Sequence, residues 1–142
     1  MDKITAQDVV NGKSFEMWVN SLKKAEILTA QADSEIQVDK VPIAGQLADE
    51  DIETGATGNG SLGFHKVLDD SLIKDVNEAF KKNQRFVFDL RGTFENKNTG
   101  SAQTVIITDC KINKFSPLAV DITKLLTDNF NFSYSPKNVE II

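Results

Sequence analysis

Between Ile27 and Val38 the chain alternates with a period of two. Leu28, Ala30, Ala32, Ser34, Ile36 and Val38 fall on one side, and Thr29, Gln31, Asp33, Glu35 and Gln37 on the other. Successive side chains point to opposite faces only in a strand, so this pattern predicts a half-buried strand and excludes a helix here. Its second face is wholly polar and partly acidic, which demands a wet surface. The same period recurs along the chain. Phe15, Met17 and Val19 oppose Glu16 and Trp18, with a turn at Asn20-Ser21. Leu62 and Phe64 oppose Ser61, Gly63 and His65, and Phe86, Phe88 and Leu90 oppose Arg85, Val87, Asp89 and Arg91. In 126–134, Phe130, Phe132 and Tyr134 point inward and Thr127, Asn129, Asn131 and Ser133 outward. Thr104–Ile112 is apolar on both sides, with Ile106, Cys110 and Ile112 against Val105 and Ile107, which predicts a strand covered on both faces. Asn11-Gly12 and Asn96–Gly100 read as turns. The apolar tail Val139–Ile142 is expected to pack on the body.

One segment has the helical period. In 69–82, Leu72, Val76, Ala79 and Phe80 recur at i, i+4, i+7 and i+8; Asp69, Asp70 or Ser71 can cap the N-terminus, and Lys81 and Lys82 suit the C-terminal dipole. The pattern therefore predicts a mainly β (α+β) protein: an antiparallel β-sandwich or barrel with one flanking helix. The 142 residues fit a single domain, 1–142, large enough to bury a core without disulfide or metal.

The longest interruption is residues 39–58. Pro42 argues against a continuing central strand. Ile43, Gly45, Gln46, Asp49, Glu50, Asp51, Glu53, Thr54 and Gly55 then read as a long acidic loop, which returns through Gly58, Gly60 and Gly63 into Phe64-His65-Lys66-Val67. Compact domains spend that much irregular chain on loops that are functional or disordered.

Composition removes several classes of function. A net charge of −5 and a pI of about 4.9 oppose binding to a phosphate backbone or an anionic membrane. Lys13, Lys23-Lys24 and Lys81-Lys82 are dispersed and lack interleaved aromatics. Cys110 is the sole cysteine, so no internal disulfide forms, and its place among core positions marks a small buried hydrophobe. The N-terminus lacks the apolar stretch of a secretory signal, and no run reaches the roughly 18 apolar residues of a membrane span.

Chemistry is equally sparse. Gly58 to Gly63 spells G-x-G-x-x-G, but a dinucleotide site needs a strand before it and a helix opening on the last glycine. Here a loop precedes and a strand follows, so the glycines read as close backbone approach in a sheet. His65, the single histidine, lacks a partner for base catalysis and reads as a polar-face or subunit-contact residue. One histidine and one cysteine exclude an ordinary zinc site, and the acidic run lacks calcium-loop spacing. No catalytic constellation and no cofactor are expected.

The run Gly45 … Thr54-Gly55-x-x-Gly58-x-Gly60-Ser61-x-x-Phe64-His65-Lys66-Val67 resembles the signature of the XkdM-like phage tail tube proteins of myophages, PBSX-type prophages and contractile bacteriocins. There a long loop ends in T-G-x-x-G-T-G-T before an aromatic-aromatic-Lys-Val strand. Ser14–Ala25, with Trp18, resembles that family's first hairpin, and Phe130-Asn131-Phe132 its closing strand. Asn59, His65 and Glu53 depart from the residues usual at their positions. The resemblance implies a structural subunit forming hexameric rings that stack into a hollow tube. Its partners would be other copies of itself, tail sheath, baseplate and tape-measure proteins, with DNA passing without specific binding. It would sit in a virion tail assembled in the host cytoplasm, without membrane anchoring. Thr29, Gln31, Asp33, Glu35, Gln37, Thr127, Asn129 and Asn131 are then candidates for the lumen wall, and the 39–58 loop for contact between rings, ordering when rings stack. A baseplate tube initiator, a secretion-type tube subunit and a small-ligand-binding β-barrel are the alternatives.

Overall fold

A computed structural model describes residue 6, residues 11–68 and residues 71–142. Asp69 and Asp70, two of the three expected helix caps, lie outside the described residues. The elements are β1 (Phe15–Val19), β2 (Leu22–Lys23), β3 (Ile27–Val41), β4 (Glu50–His65), α1 (Leu72–Lys81), β5 (Val87–Asn96), β6 (Ser101–Phe115), β7 (Thr127–Tyr134) and β8 (Val139–Ile141). All pairings are antiparallel, in the order β2-β1-β5-β6-β7-β4-β3, with β8 added to β6. The apolar tail thus packs by pairing, as its composition suggests.

The sheet curls so that its two ends face one another. Met17 and Val19 of β1 share one core with Leu62 and Phe64 of β4, Phe88 and Leu90 of β5, Ile107, Cys110 and Ile112 of β6, and Phe130, Phe132 and Tyr134 of β7. Five of these are aromatic, and their rings meet edge-on or tilted: Phe88 and Phe132 at 5.7 Å, Phe64 and Phe130 at 6.1 Å, Phe132 and Tyr134 at 6.0 Å. Helix α1 buries Leu72 and Val76 against this core and sets Phe80 edge-on to Phe115 at 4.8 Å. Its N-cap is Ser71, whose side chain makes no capping hydrogen bond. Asn20 and Ser21 both take positive φ, the twist that a two-residue turn between β1 and β2 requires.

Three expectations change. The segment 39–58 is mostly strand. β3 runs on to Val41, β4 starts at Glu50, and only residues 42–49 are irregular. Cross-strand pairs Lys40↔Asp51 and Val41↔Glu50 hold the two strands together to that tip, and the strand ends just before Pro42, which cannot donate to a ladder. The expectation that Asp39–Gly58 is irregular in the free subunit is therefore corrected to a paired ribbon. Second, β3 is exposed along both faces beyond Ile27, not half-buried, because its outer half has no layer over it. Third, Ile106 does not point inward with Cys110 and Ile112. Thr108 and Asp109 together oppose Asp89, so the phase slips at a bulge, with Asp109 at φ 54, and Ile107 takes the inward place. Ile106 is half-buried on the opposite face.

Cys110 is fully buried, and that burial, reinforced by the Asp89 carboxylate, pushes its thiol from an ordinary 9.0 up to about 12. Only the thiolate alkylates, so at pH 8 iodoacetamide is expected to label the denatured chain readily. The native protein should react at least ~100-fold more slowly. The rates are read by mass spectrometry.

Candidate assembly surfaces

The register of β3, β4, β7 and β6 settles which side chains share a face, since residues directly opposite in an antiparallel pair point the same way. Thr29 pairs with Gly63 and Gly63 with Asn129; Gln31 with Ser61 and Ser61 with Asn131; Asp33 with Asn59 and Asn59 with Ser133. The rows continue into β6 through Ser133↔Lys111 and Asn131↔Lys114. Glu35↔Thr57, Gln37↔Gly55 and His65↔Thr127 complete the set. All eight residues proposed from sequence for a lumen wall therefore lie on one side of one four-stranded surface. Seven are exposed and Thr127 is half-buried. The opposite side carries the core.

That surface also holds residues that are not among the eight lumen candidates. Thr57, Asn59 and Ser61 extend it on β4, and Ser133 on β7. Arg85, Lys111 and Lys114 bring positive charge to the margin away from β3. The Arg85 guanidinium donates to the Lys111 carbonyl at 3.4 Å and to Asn113 Oδ1 and Ser133 Oγ. Lys111 alternates visibly with Cys110 and Ile112, but nothing local to β6 says that β7 lies beside it.

The nine residues proposed for a contact loop divide in two. Ile43, Gly45, Gln46 and Asp49 sit in the irregular tip, with Gly45 at φ 86. Glu50, Asp51, Glu53, Thr54 and Gly55 lie on β4, where Thr54 is the extra residue of a bulge between Gln37↔Gly55 and Val38↔Glu53. β7 stops at Tyr134 opposite Gly58, so beyond that pair β3 and β4 project as a bare two-stranded ribbon. From Glu35 to Val41 it spans roughly 20 Å at the usual strand rise. Ile36 is 62%, Val38 52% and Ile52 48% exposed, an unusual outlay of large aliphatics on a thin ribbon.

The ribbon's root is tied down at one point. Ser34 Oγ and Tyr134 OH are 2.8 Å apart, with the tyrosine buried. Tyr134→Phe removes that bond while keeping the ring, and is expected to cost about 1 kcal/mol in urea unfolding.

No feature of the site suggests chemistry. The glycines 58, 60 and 63 lie inside β4, with no helix opening on them. Among the described residues no group of His, Cys, Asp and Glu is placed to hold a metal ion. An apolar hollow of about 200 Å³ opens between the two ends of the sheet, lined by Phe15, Met17, Leu62, Ile107 and Phe132 among others. It is smaller than ordinary ligand pockets, and Gln31, whose side chain lies on the opposite face with Asp33, is the single polar residue in its lining.

The sequence matches a family model described as phage tail tube protein over residues 2–140. The chain belongs to the phage tail tube protein family. It is a structural tube subunit, and the resemblance drawn from the glycine run and the closing strand holds over nearly its whole length. Solved structures agree on the fold. The sheath/tube terminator of an extracellular contractile injection system in its extended state superimposes with a TM-score of 0.78 at 10% identity, covering 97% of this chain and 99% of that one. The sheath-tube complex of that system gives 0.74 at 12% identity, covering 96% and 93%. Hcp1 from Flavobacterium johnsoniae gives 0.54 at 13% identity, covering 84% and 89%. A comparison with curated protein sequences gives no significant match. The mainly β architecture with one helix is thus that of tail tube subunits, in which the tube proteins of phage-like particles serve as structural components.

Proposed function

We propose that this subunit forms hexameric rings with the β3-β4-β7-β6 polar face turned inward, and that the rings stack into a tube through the β3–β4 ribbon. The observation that carries this is the pairing of two features on one chain. A continuous polar surface, holding Thr29, Gln31, Asp33, Glu35, Gln37, Thr127, Asn129 and Asn131, ends at an open strand edge on β3. A ribbon with exposed aliphatics leaves the body beside it. An open edge of this length is a hazard in a free monomer, and closing it against a neighbour removes the hazard. Rotational closure gives a ring, and stacking its two unlike faces gives a filament. Two of the similar structures, a baseplate and a particle tail, are described with six-fold symmetry, which supports the number chosen.

The role is passive. Amide and hydroxyl side chains wet most of the wall, and its cations, Arg85, Lys111 and Lys114, are confined to one margin and balanced by Asp33 and Glu35 at the other, so DNA or a tape-measure protein passes without sticking. No catalytic step is assigned. Sheath and baseplate are the external partners, and assembly takes place in the host cytoplasm before the tail is complete.

Electron microscopy of the concentrated protein in negative stain, together with sedimentation velocity, tests this. Rings or hollow tubes are expected. A strict monomer at all concentrations, with melting that responds to small apolar ligands, would overturn the reading in favour of a binding barrel. Rings that never stack would point to an initiator or terminator of the same fold.

A further inference from the structure

The polar face is charged with opposite signs at its two margins. On β3, the outer strand, stand Asp33 and Glu35. At the other margin stand Arg85, Lys111 and Lys114, with Asp109 beside them and the Asp89 carboxylate accepting from the Asp109 N–H at 3.1 Å. Between lie only uncharged rows: Asn59, Ser61 and Thr57 on β4, and Asn129, Asn131 and Ser133 on β7. Lys111 and Lys114 are exposed, as are Asp33 and Glu35, and among the described residues none of these, nor Arg85, is in an ion pair. Asp33 accepts only from its neighbour Gln31, at 3.0 Å and 3.3 Å. At the basic margin a hollow of about 650 Å³ opens, lined by Arg85, Val87, Asp109, Lys111 and Ser133 among others.

We infer that this polarity selects how copies join: the acidic β3 margin of one subunit docks against the Arg85–Lys111–Lys114 margin of a second copy of the chain. The inference rests on the ring reading above and adds the contact that closes it. An open β3 edge has two ways to find a partner among identical chains. Edge-to-edge pairing with a second β3, about a two-fold axis, brings Asp33 and Glu35 of one chain against the same carboxylates of the other. Head-to-tail pairing brings them to three cations. Like charges set opposite one another across strands destabilise the pair, and unlike charges favour it. A two-fold pairing is a dead end, whereas head-to-tail contacts close into a ring. The charges therefore repel in the edge-to-edge dimer and disfavour it, and they leave the completed wall with alternating acidic and basic columns.

Three full-length variants test it: Asp33→Lys with Glu35→Lys, Lys111→Glu with Lys114→Glu, and the chain carrying all four changes. All four positions are exposed, and melting curves close to wild type check that each variant folds. Each pair of reversals alone is expected to raise the protein concentration needed for rings about 100-fold. The four-fold swap restores complementarity and should return assembly to near the wild-type concentration. Wild-type assembly should also weaken from 50 mM to 500 mM sodium chloride. Reversals without effect, or a four-fold swap as defective as its parents combined, would overturn the inference while wild-type rings keep the tube reading intact. A wild type that forms no ring under any condition would remove the ring reading itself.

Discussion

Replacing Ile36–Ala56 by a two-residue Asn-Gly turn is expected to give a folded, soluble subunit that forms no stacked tubes. Glu35 and Thr57 are directly paired, so a two-residue type I′ turn can bridge them with the twist the strands already have. No member of the hydrophobic core lies between Ile36 and Ala56, and the Ser34–Tyr134 bond at the ribbon's root is kept. Stability should therefore stay within about 1 kcal/mol, a melting shift of only a few degrees for a domain of this size.

Assembly should respond quite differently. The removed segment carries Ile36, Val38, Val41, Ile43, Leu47 and Ile52, all exposed in the single chain. Burying a large aliphatic side chain is worth about 1.5–3 kcal/mol, so even partial burial of these six against a neighbour supplies several kcal/mol per copy. A two-stranded ribbon of this kind is marginal alone and gains its order from what it lies against. The acidic margin at Asp33 and Glu35 remains, so single rings are expected to persist as the largest species. Negative-stain images of the truncated chain settle the matter, and tubes of ordinary length would show that the ribbon has no part in stacking.

The sequence made the strands legible wherever burial imposed a strict period. Phe130, Phe132 and Tyr134 point inward as their spacing implies, and β1 has the limits its alternation gives it. The pattern misled in two kinds of place. At Thr108-Asp109 a bulge inserts one residue, and a period-two count carried across it assigns Ile106 to the wrong face. In 39–58, Gly45, Gly55 and Gly58 lower strand propensity and Asp49 to Glu53 suggest solvent, so a local reading gives a loop. What makes these residues a strand is the partner: Asp39 to Val41 pair with Glu50 to Ile52 across the tip, a register that no local period announces. The polar face was half legible for the same reason. The alternating residues of β3 and β7 stand out singly, but their adjacency through Asn59, Ser61 and Gly63, and the approach of Lys111 and Lys114, depend on register alone.

Gly60→Val is expected to cost at least ~3 kcal/mol, lowering the melting temperature by roughly 6–12 °C or preventing folding altogether. A Cβ at Gly60 would stand 2.3 Å from Phe132 Cζ and 2.4 Å from the Gln31 carbonyl oxygen, well inside contact distance for both. Neither can retreat. Phe132 is 1% exposed and wedged between the rings of Phe88 and Tyr134, and the Gln31 carbonyl belongs to the strand paired with Gly60 through Ala32. Interiors packed to crystal density take up such a volume only by moving a strand or an aromatic ring off its rotamer. Gly55→Val is the matched control. It lies on the same strand five residues earlier, in the exposed ribbon, and its nearest neighbour would be Gln37 Oε1 at 3.8 Å. A β-branched residue suits a strand, so that variant should melt within about 1 °C of wild type. The contrast separates two explanations of the G-x-G-x-x-G run. If its glycines exist to let β7 aromatics lie flat on β4, Gly60 is intolerant and Gly55 indifferent. Equal tolerance at the two positions would break the packing explanation and return the run to consideration as a ligand-binding turn.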